Sequence, residues 1–438
     1  MTQSKSLRRP LKSSLRWWVV LGLVLSWASH AESLWIRAGK VIDVERGRVL
    51  SDQMIRVDGE RIVSVGDYKA DANAGGQWLD WSRYTVLPGL MDMHTHLADF
   101  ESSAEIAAPL YTSAADAALQ GVDNARRTLR AGFTTVRDVG CYRAFTDVAL
   151  RNAINRGIIE GPRMFVVGAY ITVSGGGGEV TGFAPDVVVP AEMRRGVANS
   201  ELEIRQRVRE LISGGATFIK VIATGAVLAA GTTPGAAEYS ESEIRAAVDE
   251  AAQYGIFVAA HAHGAEGIKR AVRAGVRSIE HASYLDDEGI ALMKKQGTWL
   301  VADIYNGDYI AETGRRDHWS EEILRKNDET TQTQRDGFAK AVKAGVRIAY
   351  GTDSGVYPHG DNARQFAYMV RYGLTPMDAI RAATLNSAQL LAQEKNLGAI
   401  ATGKFADLIA VEGDPLADID KLRQVRGVVK AGRPIRLD

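Results

Sequence analysis

Apolar and polar residues alternate from Leu34 to about Thr85, in the segments LWIRAGKVIDV and QMIRVDGERIVSVG. A period of two marks strands with one buried face. Asp58-Gly59 between the apolar runs reads as a hairpin turn. The chain from about Gly398 onward has the same texture, in FADLIAVEG and VRGVVKAGRPIRL. Two β-rich ends around a long middle predict one small β-sandwich domain built from both termini, with its parts at 32–85 and 396–438. The middle, 86–395, has another rhythm: short apolar runs followed by segments of helical period that end in glycine, such as SESEIRAAVDEAAQYG and GIKRAVRAG. Eight such runs lie near Leu90, Val136, Val166, Lys220, Ala259, Glu280, Val301 and Ala349. Buried parallel strands alternating with helices predict an α/β fold, a (β/α)8 barrel of the TIM type. An open doubly wound sheet is the rival, but no Gly-x-Gly-x-x-Gly follows the first run.

The first residues depart from this pattern. Lys5, Arg8, Arg9, Lys12 and Arg16 come with no acid, an apolar run spans Trp17 to Trp27, and Ser29-His30-Ala31 follows. This is the anatomy of a signal peptide over 1–31, cleaved after Ala31, for a periplasmic or secreted protein. The alternative, an uncleaved anchor, needs a longer apolar run than this one, because spanning a bilayer takes about 20 residues. Arg8-Arg9 is a weak twin-arginine signal, since Pro10 follows. Overall, 53 basic residues balance 53 acidic ones, which leaves no basic field for nucleic acid. Cys141 is the single cysteine, so neither an intramolecular disulfide nor a thiolate zinc cage can form.

Five histidines fall on predicted strands or at their C-terminal ends: His94, His96, His261, His263 and His281. Asp353 ends the eighth run, and Lys220 lies inside the fourth. Strand residues two apart share a face, which pairs His94 with His96 and His261 with His263. In a (β/α)8 barrel the strand ends meet at one mouth, so these side chains would form a nitrogen- and oxygen-rich metal site suited to zinc. One such histidine alone would read as a hydrogen-bonded structural residue. For Lys220 two readings stand: an ammonium paired with a buried carboxylate, or an amine converted by CO₂ to a carbamate ligand. Asp353 in GTDSG is either a structural cap or a proton acceptor.

The ordered set LPGLMDMHTHL, FIKV, AAHAHG, IEHAS and YGTDSG, closed by NLGAIATGKFADLIAV, resembles the amidohydrolase superfamily. The resemblance is to its imidazolonepropionase-like and exported prolidase- or carboxypeptidase-like branch, and it covers essentially the whole chain after the leader. It implies two divalent metal ions, most naturally Zn²⁺. His94, His96 and Asp353 would hold one, His261 and His281 the other, and carboxylated Lys220 would bridge them. It also implies hydrolysis of an amide bond to a C-terminal amino acid, in dipeptides or N-acyl amino acids, with Asp353 moving the proton. His263 is the candidate hydrogen-bond donor to the substrate carbonyl, or else a support for a ligand. Tyr142, Tyr239 and Arg137 are candidates for binding the substrate carboxylate, with packing or an Arg137–Asp138 ion pair as the alternatives. Relatives carry a histidine in a Gly-rich segment where this chain has Gly177, within Ser174-Gly175-Gly176-Gly177-Gly178-Glu179. A missing side chain and a mobile backbone predict a more open pocket, fit for an N-acyl-phenylalanine such as ochratoxin A, which some relatives split. Other readings are a cyclic amide or lactone hydrolase and a non-catalytic metal-binding barrel. The expected partners are a small-molecule or dipeptide substrate and further copies of the chain, since relatives assemble, some as octamers. No nucleic acid and no stable membrane insertion are expected.

Overall fold

The computed structural model describes residues 33–70, 75–99, 107–184 and 186–437. The expected signal peptide lies outside the described residues. The alternating segments form strands β1 (Leu34–Asp43), β2 (Arg48–Asp58), β3 (Arg61–Asp67) and β4 (Gln77–Pro88). The middle supplies β5 (Leu90–Thr95), β6 (Phe133–Asp138), β7 (Arg163–Phe165), β8 (Ile219–Ile222), β9 (Val258–Ala262), β10 (Ser278–His281), β11 (Trp299–Val301) and β12 (Arg347–Ile348). The C-terminal stretch adds β13 (Leu408–Glu412), β14 (Val425–Lys430) and β15 (Arg433–Leu437).

The terminal strands make one seven-stranded sheet in the order β15-β14-β13-β4-β1-β2-β3. The N-terminal and C-terminal parts meet where β13 pairs antiparallel with β4, Leu408 opposite Pro88 and Glu412 opposite Tyr84. The sheet curls, so that Ile62 N donates to Lys404 O and Ala406 N to Glu60 O, tying the β3 edge to the segment before β13. Ile36, Ile55, Leu79, Trp81, Leu408 and Val429 fill the inside of the curl. The expected sandwich thus takes the form of one continuous sheet closed around its own apolar face. β4 crosses the boundary expected at residue 85 and runs nearly into β5.

The middle strands are all parallel, in a three-stranded sheet β5-β6-β7 and a five-stranded sheet β12-β11-β10-β9-β8. Backbone hydrogen bonds join the two sheets at both flanks. At one, Ile171 N donates to Lys220 O and Ile222 N to Ile171 O. At the other, Met93 N donates to Tyr350 O, Asp353 N to His94 O and His96 N to Ser354 O. The expected strands near Val166 and Ala349 end one residue early, at Phe165 and Ile348. Helices cover the outer faces of the strands. The helix Glu241–Ala252 opens with a capping box between Ser240 and Glu243, and Ala265–Ala274 closes on Gly275 at φ 93°. Side chains of the parallel strands alternate: Ile219, Val221, Ala260 and Ile279 join the apolar core, while Lys220, His261 and Glu280 lie on the opposite face, which also carries His94.

Candidate metal centre and active-site cavity

The strands bring all the expected ligands together. His94 and His96 sit two apart at the end of β5, Lys220 inside β8, and His261 and His263 at the end of β9. His281 ends β10, Asp303 follows β11, and Asp353 follows β12. His281 and Asp353 take left-handed backbone angles (φ 66° and 57°), and both side chains line the cavity. Backbone angles of this kind recur where function sets geometry. Three groupings have ligand atoms within 4.8 Å of one another: His94–His96–Asp353, His261–His263–His281, and His281–Asp303–Asp353. His281 and Asp353 link the groups into one centre.

Each imidazole has one ring nitrogen held by a neighbour. His94 Nδ1 meets Glu280 Oε2 at 2.9 Å, and His96 Nδ1 meets Gly140 O at 2.7 Å. His281 Nδ1 meets Asp303 Oδ1 at 2.9 Å, His263 Nδ1 meets Ser283 Oγ at 2.7 Å, and His261 Nε2 meets Gly225 O at 3.1 Å. A ring nitrogen that donates to a carbonyl or carboxylate leaves the other with a lone pair, the form that ligates metal. The Nε2 atoms of His94 and His96 then face Asp353 Oδ1 at 3.3 and 3.2 Å, lone pairs against an anionic oxygen. Only a shared cation or an added proton makes that arrangement favourable. Without a metal the proton wins: burial opposes charge on His96, but Asp353 raises its pKa to about 9. Burial likewise favours the neutral Asp353 acid, yet His94, His96 and His281 hold that carboxyl well below its usual range. The donor set fits a divalent ion.

Lys220 is buried and lines the same cavity as the histidines and Asp353. Burial, with Arg137 adding to it, outweighs the nearby Glu280 and lowers its pKa to about 8. It forms no ion pair with a described carboxylate, so the paired-ammonium reading is not realised. Its neighbour Glu280 is taken by Arg137, which places Nη2 2.7 and 2.8 Å from the two carboxylate oxygens. Arg137 also donates Nε to Met93 O and Nη1 to Ser278 Oγ, and it is fully buried. It is therefore a brace behind His94. It clamps no substrate carboxylate, and its ion pair is with Glu280 rather than Asp138. Tyr239 also departs from expectation: its hydroxyl donates to Ala198 O at 2.7 Å, within the core and away from the cavity. Tyr142 and His263 do line the cavity. Burial lowers His263 to about 3, which keeps it neutral.

The glycine run is not loose. Gly177 N donates to both Glu238 oxygens at 3.0 Å, and Gly178 N donates to Thr172 Oγ1. A Cβ on Gly177 would lie 2.9 Å from Thr224 O and 3.0 Å from Ala226 N. The space expected from the missing imidazole is filled by the backbone of 224–226, so the pocket is not opened there. The cavity measures about 220 Å³ and is lined by the ligand cluster and by an apolar group of Leu228, Ile310, Trp319 and Val356.

Sequence reasoning passed over Asp303, Asn306 and Gln334. Asn306 Nδ2 reaches Asp303 Oδ2 and Asp353 Oδ2, both at 3.0 Å, and Gln334 Nε2 reaches Asp303 Oδ1 at 2.9 Å. Asp303 carried a legible signal, an acid closing the apolar run WLVAD as Asp353 closes its own. Gln334, inside the long helix Glu321–Ala344, carried none.

Comparison with known proteins agrees with this geometry. Residues 85–435 match the amidohydrolase family. Ochratoxinase from Aspergillus niger is 31% identical over 93% of this chain and 86% of its own length. Among solved structures, a Xaa-Pro dipeptidase with bound methionine in its active site is 40% identical, with a TM-score of 0.86, covering 92% of this chain and 99% of that one. A prolidase complexed with N-methylphosphonate-L-proline is 31% identical, with a TM-score of 0.85, covering 93% and 100%. The chain therefore belongs to the amidohydrolase family and is a hydrolase of carbon–nitrogen bonds, with histidine and aspartate groups consistent with metal dependence.

Proposed function

We propose that the protein is a binuclear-metal amidohydrolase that cleaves the amide bond to a C-terminal amino acid in dipeptides or N-acyl amino acids. The observation that carries this reading is the approach of two imidazole nitrogens to one carboxylate oxygen at 3.2 and 3.3 Å. His94, His96 and Asp353 would hold one ion, His261 and His281 the second, and Lys220, as a carbamate, would serve both. Zinc suits this nitrogen-rich set. A lysine pKa lowered to about 8 favours the neutral amine that CO₂ requires. Bound there, the ions supply Lewis acidity and an activated water.

The chain's own groups do the rest. Asp353 takes the proton of the attacking water on Oδ2, the oxygen that Asn306 holds, and returns it to the leaving nitrogen. His263 accepts the Ser283 hydroxyl at Nδ1, keeps its hydrogen on Nε2 and donates it to the substrate carbonyl. Leu228, Ile310, Trp319 and Val356 exclude water and receive an apolar side chain. That wall and the likeness to ochratoxinase make ochratoxin A a substrate to assay beside apolar dipeptides.

The same reading extends to the whole chain. The parallel strands, hydrogen-bonded at both flanks, form a (β/α)8 barrel over 86–395, and the curled sheet is the small β domain. The leader over 1–31 directs export to the periplasm or beyond, and the mature chain works as a homo-oligomer without membrane insertion or nucleic acid. The test is elemental analysis followed by chelation. Purified protein is expected to hold about two zinc ions per chain, to lose hydrolysis when they are removed, and to regain it with added zinc. Full turnover by metal-stripped protein would overturn the reading.

A further inference from the structure

The charges around the cavity are not evenly answered. Four acids line it: Asp99, Glu179, Asp303 and Asp353. Glu179 pairs with Arg194, Asp303 with His281, and Asp353 with His94 and His96. Among the described residues Asp99 forms no ion pair, and His96 is the cationic group that acts on it from nearby. Asp99 is 5% exposed, and among the described residues its carboxylate accepts the backbone N–H of Tyr142, at 3.2 and 3.3 Å. No arginine lines the cavity among the described residues, and its one lysine is Lys220. An anion held away from water without an ion pair is costly.

Two tyrosines stand beside it. Tyr142 and Tyr170 line the same cavity, with ring centroids 6.2 Å apart and planes at 86°. A carboxylate flanked by aromatic rings is the chemistry that holds an ammonium group, through a charge-assisted hydrogen bond and the ring faces. Asp99 also lies on the metal-centre side of the cavity. It is three residues beyond His96, and Tyr142 sits close enough to both Asp99 and Asp353 for each to raise its hydroxyl pKa, after burial.

We propose that Asp99, with Tyr142 and Tyr170, receives the α-ammonium of the acyl residue, so that the preferred substrates are unblocked dipeptides rather than N-acyl amino acids. This rests on the amidohydrolase reading and narrows it, since both substrate classes fit that reading equally. On it, His96 is a neutral metal ligand and leaves Asp99 to the substrate. The alternative role for Asp99 is a cap on the Tyr142 N–H with no contact to substrate.

The test compares Leu-Phe with N-acetyl-Leu-Phe on zinc-loaded protein, wild type and Asp99→Asn. Asparagine keeps an acceptor for the Tyr142 amide and removes only the charge. Wild type is expected to favour Leu-Phe in kcat/KM by about tenfold or more, and Asp99→Asn to lower that ratio by about tenfold, mainly through KM. A wild-type ratio near or below one, or an equal loss on both peptides in the variant, would overturn the proposal. Calorimetric titration of the same peptides separates the two levels of inference. If neither is hydrolysed but Leu-Phe binds more tightly and Asp99→Asn abolishes the difference, the amine site stands and the cleavage reading falls. Equal binding of both peptides overturns the amine site.

Discussion

The terminal sheet and the parallel strands solve the problem of charge in opposite ways. In β1 the buried residues Leu34, Ile36 and Ala38 alternate with Trp35 and Arg37, and the ion pair Arg37–Asp52 stays partly in water at 3.0 Å. The parallel strands are buried on both faces, yet they hold Arg137 and Glu280 fully out of water at 2.7 Å. Replacing a buried pair by apolar residues is often neutral or stabilising, so stability alone does not account for this one. It orients His94, as Asp303 orients His281. The lesson is that the sheet is read by its agreement with burial rules, and the site by its breaches of them.

Three substitutions bear on that contrast. The largest effect is expected from Asp353→Asn, which keeps the shape but removes the proton acceptor. Turnover of zinc-loaded protein should fall by about a thousandfold or more, with circular dichroism unchanged; a loss under tenfold would make Asp353 a mere cap. Next is Glu280→Gln, which strands the buried Arg137 charge. Unfolding in urea should show a loss of about 3–5 kcal/mol, together with reduced metal content; an effect under 1 kcal/mol would erase the contrast between the regions. Glu280 also has a predictable pH signature. Burial opposes its ionisation, but Arg137, His94 and Lys220 hold its pKa well below the ordinary glutamate value. Its contribution to stability should therefore be complete above about pH 4.5 and fade as pH falls below that. The smallest effect belongs to Arg37→Ala in β1. An exposed pair of this kind is worth under about 1 kcal/mol, so the urea midpoint should barely move and activity should stay at the wild-type level.

Much of the centre was legible from local pattern. His94 and His96, two apart in an apolar run, must share a face, and so must His261 and His263, because a strand's period is two. Lys220 inside FIKV stood out because an ammonium does not belong in a buried strand. The alternation of β1 to β4 and β13 to β15 marked one sheet from both ends, since a half-buried strand imposes its period on the residues that form it.

What the pattern left open concerns partners far apart in sequence. Arg137 was ambiguous between substrate and salt bridge until Glu280, 143 positions on, was brought against it. Tyr239 looked available until its hydroxyl was found on Ala198, and Gly177 looked like a vacancy until the backbone of 224–226 was found filling it. Local sequence determined the elements and the direction of their side chains, because backbone sterics and periodicity act over a few residues. Only the tertiary structure decided which charge is paired, as Glu280 is, and which, like Asp99, has no ion pair among the described residues, because that depends on which strand lies next to which.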